Sequence, residues 1–192
     1  GLIDMRGLDY DDEKWDALLD QLTPSDYQTL ITQSGYGTAA IKSVDKPAAT
    51  DRDSATGLLN FGFDASGNFV FTRYIEHCGV IVLAQTYNDE LATHYGENIG
   101  DESYYLDVDG WYAPAVNMHR TAFSGRNSEY YSEDPFIGGH IASLECEGVA
   151  SRGMYVFVKH YAINDQEDHR GDRDGQYSIA TFLNEQAARE IY

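Results

Sequence analysis

Four side chains in this sequence could together grip a cluster of hydroxyl groups: Asp53, Arg126, Lys159 and His160. An arginine and a lysine across a site donate several hydrogen bonds, and an aspartate accepts from two vicinal hydroxyls at once. A hydrogen bond to a charged partner contributes on the order of 1.5–3 kcal/mol, so four such residues could fix one sugar ring. Each also has a plainer reading. Arg126 could spend its charge on Glu129 or Glu133, and Asp53 could be an ordinary loop acid. Other chemistries are poorly served. The chain has no Gly-x-Ser-x-Gly elbow, no phosphate-binding glycine loop and no His-Glu-x-x-His pair. The acidic run from Asp165 to Asp174, with His169 inside it, suggests calcium but misses the EF-hand spacing. It reads as a solvated loop with internal ion pairs, and neither a metal nor another cofactor is expected.

The elements that must position these residues follow from capping signals and periodicity. Arg126 lies in a polar stretch, Gly125 to Pro135, that runs into a helix. Asp134 suits its N-cap and Pro135 its first position, where the missing N–H is not needed. Phe136, Ile137, Ile141 and Leu144 then supply a buried face at helical spacing. Lys159 and His160 follow the β-rich run Tyr155–Val158 directly, and the stretch from Lys159 to Glu167 completes the same site. Asp53 falls in a polar loop spanning Asp51 to Leu58.

Upstream, residues 12 to 31 read as two short helices, with Thr23 and Pro24 opening the second. Residues 61 to 72 alternate around a turn at Ser66-Gly67-Asn68, a hairpin signal. Val80 to Leu83 is strand or buried helix, which periodicity alone does not decide. Asn88 caps a helix to about Tyr105 with Leu91, Tyr95 and Ile99 on one face, and Trp111–Ala113 reads as a strand. A last helix is expected over about residues 179 to 192, facing inward through Phe182, Leu183, Ala187 and Ile191. Alternating strands and helices argue for βα units around a parallel sheet. In such folds the polar residues at the C-terminal ends of strands form the site, which brings Lys159, His160 and Arg126 to one face.

Composition narrows the partners. With 32 acidic against 13 basic residues the formal net charge is −19. Nucleic acid needs a basic footprint and is excluded on that ground. An anionic substrate meets a repulsive overall field, whereas a neutral, hydroxyl-rich one does not. Charge of this size also simply keeps a protein soluble. The 15 tyrosines suit a surface that meets amphipathic ligands such as sugars, or serve as half-buried packing. Cys78 and Cys146 give neither a disulfide framework nor a zinc spacing. No apolar run approaches the ~18 residues that span a bilayer, so no membrane partner is expected. The chain opens Gly-Leu-Ile-Asp, without a methionine or a signal-peptide pattern. This suggests a piece of something longer and favours the cytoplasm without fixing the compartment.

Three segments together resemble the barrel domain of glycoside hydrolase family 3, the β-glucosidase type. The first is Leu83-Ala84-Gln85-Thr86-Tyr87-Asn88, with Leu91, Gly96, Gly100 and Glu102 beyond it. The second runs from Pro114 through Asn117 and His119 to Arg120 and on into the Gly125–Pro135 stretch. The third is Lys159-His160-Tyr161-Ala162-Ile163-Asn164-Asp165-Gln166-Glu167, followed by Arg170. The resemblance covers roughly residues 45 to 192, leaving residues 1–44 as a helical lead-in.

The resemblance implies an α/β fold, a (β/α)8 TIM-type barrel of which this chain is about the first half. It implies retaining hydrolysis of β-glucosides, with Asp53, Arg126, Lys159 and His160 holding the non-reducing sugar. Ser54 and Ala55 stand where the family pattern has glycine and proline. Retaining hydrolysis needs two carboxyl groups about 5 Å apart. The family's nucleophile lies on a strand after the Lys-His segment, and its acid/base comes from a second domain. Both would fall outside residues 1–192, so no catalytic residue is assigned here. A complete barrel takes about 250 residues, and open edges would then seek the remainder of the parent enzyme or a second copy. The alternative is a non-catalytic carbohydrate-binding module on the same scaffold.

Overall fold

The computed structural model describes residues 1–71, 74–171 and 179–192. A short 3-10 turn, Leu2–Met5, precedes α1 (Lys14–Leu19) and α2 (Pro24–Thr32). Thr23 caps α2 as its sequence predicts: its hydroxyl accepts from the Asp26 N–H, and the Asp26 carboxylate accepts from the Thr23 N–H in return. Strands β1 (Gly37–Thr38) and β2 (Ala49–Asp53) follow, then the hairpin β3 (Phe61–Phe63) and β4 (Phe69–Phe71). Helix α3 (Val80–Gln85) leads into the long helix α4 (Asp89–Leu106). Strand β5 (Gly110–Tyr112), helix α5 (Pro135–Ser151), strand β6 (Tyr155–Val156) and helix α6 (Glu185–Ile191) complete the order.

The sheet runs β1-β2-β5-β6, with β2, β5 and β6 parallel and β1 antiparallel at one edge. Helices α3 and α4 connect β2 to β5, and α5 connects β5 to β6, so the chain winds as βα units. This is part of a barrel, as the sequence implies. The main core packs Leu83, Ile99, Trp111, Tyr131, Ile141 and Val149 between sheet and helices. A second, smaller core joins Met5, Leu18, Ile41 and Val44 near the N-terminus.

Two glycines set the spacing of the helical layer. A Cβ on Gly96 of α4 would stand 2.0 Å from the Glu145 carbonyl oxygen of α5. One on Gly148 of α5 would stand 2.2 Å from the Thr93 carbonyl oxygen of α4. The two helices therefore touch backbone to backbone. Glu145, fully buried at this crossing, accepts a hydrogen bond from the Tyr131 hydroxyl, and its other oxygen has no partner in the protein. Burial pushes its carboxyl up to about 8, against the lowering effect of Tyr131.

Several local expectations are revised by long-range contacts. Asp51–Asp53 is the end of a strand, not a loop, and Asp51 is buried. Its partner comes from far along the chain, since the Tyr155 hydroxyl donates to Asp51 Oδ1 at 2.6 Å. Gly110, which lies between them in the sheet register, leaves room for that reach: a Cβ there would meet Asp51 Oδ1 at 2.4 Å. Val80–Leu83, which periodicity leaves open between strand and helix, is helical. Phe136 is 77% exposed and stacks on His140 instead of entering the core, while Ile141 is buried. Leu91 is likewise exposed on α4, whereas Tyr95 and Ile99 are buried. The final helix starts at Glu185, where Asn184 caps it, and Phe182 is exposed. Part of the Asp165–Asp174 run lies outside the described residues.

Candidate functional site

Asp53 is the last residue of β2, and the chain leaves it through Ser54 at φ +128°, a backbone conformation that favours glycine. The Ser54 N–H donates to Asp53 Oδ1 at 2.8 Å. The Trp111 indole N–H, from β5, donates to both the Ser54 and Gly57 carbonyls at 2.8 and 3.0 Å. That double contact tethers the loop beneath Asp53 to the neighbouring strand.

Lys159 sits just past β6, where the sheet continues by single bonds: its N–H donates to the Pro114 carbonyl and its own carbonyl accepts from Val116. The peptide between Lys159 and His160 is cis. Lys159 Nζ reaches across to Asp53 Oδ1 at 2.5 Å, and the Tyr36 hydroxyl approaches Asp53 Oδ2 at 3.4 Å.

His160 is held by Asn117, a buried residue on the loop after β5. Asn117 Oδ1 accepts from the His160 backbone N–H at 2.7 Å and lies 3.1 Å from Nδ1. The other ring nitrogen, Nε2, faces Arg126 Nη2 at 3.0 Å. A guanidinium has only donors, so Nε2 must accept and the proton resides on Nδ1. Burial, then the charges of Arg126 and Lys159, lower the His160 pKa to about 4, outweighing Glu129 and Asp53. The imidazole is neutral at ordinary pH.

Arg126 spends its remaining nitrogens on acids. Nε contacts Glu129 at 2.6 Å and Nη1 contacts Glu167 at 3.1 Å. Glu167 also pairs with Arg170 at 2.8 Å. The loop carrying Arg126 is fastened to the segment after Lys159 by further bonds: Glu167 N–H to the Ser124 carbonyl, Met118 N–H to Asp165, and the Tyr130 hydroxyl to the Asn164 carbonyl.

Asp53, Arg126, Lys159 and His160 are thus brought together at the C-terminal ends of the parallel strands, as two contacting pairs joined through the adjacent Lys159 and His160. Sequence reasoning placed Glu167 at the site without its pairing to Arg126, and missed Asn117 and Tyr36. Asn117 was within reach of the rule that found Lys159, since it too follows a parallel strand. Tyr36 carries no comparable signal. Such a cluster offers donors and a carboxylate acceptor to a neutral polyhydroxylated ligand. Among the described residues, no group of three or more His, Cys, Asp or Glu side chains is arranged to hold a metal ion, and no helix is long and apolar enough to cross a membrane.

Residues 27–182 match the model of the glycosyl hydrolase family 3 N-terminal domain. The sequence is 31% identical to a beta-glucosidase of Ruminococcus albus across 92% of this chain and 19% of that protein. It is 39% identical to beta-glucosidase A of Butyrivibrio fibrisolvens over 111 residues, 58% of this chain and 13% of that protein. Among solved structures, beta-glucosidase 3B of Thermotoga neapolitana in complex with glucose superposes with a TM-score of 0.71 at 32% identity. That match covers 82% of this chain and 24% of the other. The chain therefore spans a fifth or less of the length of these curated relatives.

Proposed function

The chain belongs to glycosyl hydrolase family 3, and from that premise we propose that it carries the glucose-holding part of a retaining β-glucosidase active site. One observation carries the reading: Asp53–Lys159 and Arg126–His160 meet as two pairs in one cluster at the strand ends. Asp53 accepts from two neighbouring hydroxyls, Lys159 and Arg126 donate the N–H bonds they do not spend within the cluster, and neutral His160, its Nε2 already accepting from Arg126, orients that guanidinium. The family resemblance and the glucose-bound relative support the same roles. In this reading the nucleophile and the acid/base come from outside residues 1–192. Glu145, whose carboxyl burial pushes up to about 8, is a buried residue of α5 bonded to the Tyr131 hydroxyl and takes no part in this reading.

Residues 1–44, with their own small core, form the lead-in, and residues 45–192 form the barrel portion. The sheet edge beyond β6, where Phe157 and Val158 are exposed, is where the remainder of the enzyme or a second copy docks.

Titration with glucose tests the reading. Lys159→Ala or Arg126→Ala should weaken binding on the order of tenfold or more, as expected for a lost charge-assisted bond. Unchanged affinity in both variants would sink it. Turnover of an aryl β-glucoside by residues 1–192 alone, free of host enzyme, would instead overturn the placement of both carboxyl groups outside the chain.

A further inference from the structure

The hairpin of β3 and β4 presents an unusual face. Its register pairs Phe61 with Phe71, Gly62 with Val70 and Phe63 with Phe69. Alternate residues of a strand share a face, so all four phenylalanines lie on one side and Gly62 and Val70 on the other. That side is not buried: Phe63 is 74%, Phe69 53% and Phe71 62% exposed. The rings pack on each other, Phe61–Phe69 tilted at 34° and Phe63–Phe69 and Phe69–Phe71 edge-on, with centroids 5.4, 5.9 and 5.4 Å apart. Arg52 steadies the base, its guanidinium 4.9 Å over the Phe61 ring while Nε donates to Asn60 and Nη1 to the Asp51 carbonyl.

This platform is continuous with the cluster at the strand ends. Tyr36 links the two: its hydroxyl approaches Asp53, and its ring stands edge-on to Phe61 at 6.3 Å. We propose that the phenylalanine face is the subsite for the leaving group of the glucoside, and that it selects a planar aromatic aglycone over a second sugar. The inference rests on the sugar-holding role proposed for Asp53 and its partners. The chemistry of the face makes the choice. Four phenyl rings give stacking and edge contacts to an aryl group. They give no hydrogen-bond partner to hydroxyls, which a second sugar would have to desolvate without return.

The experiment compares three probes on the purified protein by titration: glucose, methyl β-glucoside and the hydrolysis-resistant phenyl 1-thio-β-glucoside. The phenyl ligand should bind about tenfold tighter than the methyl one, the size expected of one or two good aromatic contacts. Phe63→Ser with Phe69→Ser should abolish that preference and leave glucose affinity unchanged, which also shows that the variant is folded. Equal affinity for the phenyl and methyl ligands, as when another part of the polypeptide covers the rings, overturns the platform and spares the sugar site. A preference that survives in the double variant overturns it too. Failure of glucose itself to bind removes the sugar site and the platform with it.

Discussion

Arg126 Nη2 donates to Nε2 of His160 at 3.0 Å, so a permanent cation rests against an imidazole that is compelled to be an acceptor. The contact fixes the tautomer from one side, and Asn117 Oδ1 fixes it from the other. Protonating His160 would set two donors face to face.

His160 should therefore titrate near pH 4 by NMR, well below an ordinary histidine. Between about pH 4 and 6.5 the unfolded chain binds a proton here that the native chain does not, so this residue's contribution to stability is lost as pH falls through that window. Arg126→Met removes the largest opposing charge and should move the His160 pKa upward. A pKa that stays put would mean that burial alone sets it.

Glu145 works in the opposite direction. Its folded pKa of about 8 lies above the ordinary carboxylate value, so the unfolded chain releases a proton that the native chain retains. Stability from this group is full below about pH 4.5 and is lost as pH rises toward 8. Glu145→Gln keeps the shape and removes the titration. Its denaturation midpoint should exceed that of the wild type at pH 8 by the equivalent of a few kcal/mol, and the two should converge at pH 5. Parallel pH profiles would show that Glu145 is ionised in the native core.

Ser54 holds a φ of +128° where the family pattern has glycine. Its side chain returns little: the Thr56 N–H contact is 3.3 Å long. Ser54→Gly should raise stability by about 1 kcal/mol by relieving backbone strain, read as a higher Tm. A lower Tm would show that the unfolded-state entropy of glycine outweighs the relief.

Gly96→Ala should cost about 3 kcal/mol or more, because the added methyl meets the Glu145 carbonyl and nothing at that contact is a flexible side chain. Gly139→Ala, on the same helix pair but in open space, is the control and should be close to neutral or mildly stabilising. Comparable losses in both would show that the cost does not come from the close approach at the crossing.

What could be read from the sequence was what local physics decides. Thr23, Asn88 and Asp134 cap the helices that follow them, since the N–H groups that a cap satisfies lie within the next three residues. Lys159 and His160 were legible as strand-end residues. Asp51 was not legible as a sheet residue, because an acid inside a strand makes sense only once Tyr155 arrives with its hydroxyl and Gly110 leaves the gap. Phe136 failed for a plainer reason: it lies five residues before Ile141, about 140° round the helix from it, whereas Ile137, one turn before Ile141, packs against the core. Arg126 could be weighed only as sugar ligand or ion pair. The structure shows the ion pairs with Glu129 and Glu167 and the His160 contact at once.

The indole of Trp111 closes one more question, that of timing. A single N–H shared between the carbonyls of Ser54 and Gly57 leaves the loop under Asp53 without a free hinge. A ligand arriving there meets a finished surface and need not wait for a flap to close. Association at this spot should follow a single exponential whose rate climbs linearly with ligand concentration, with no plateau set by a slow opening step.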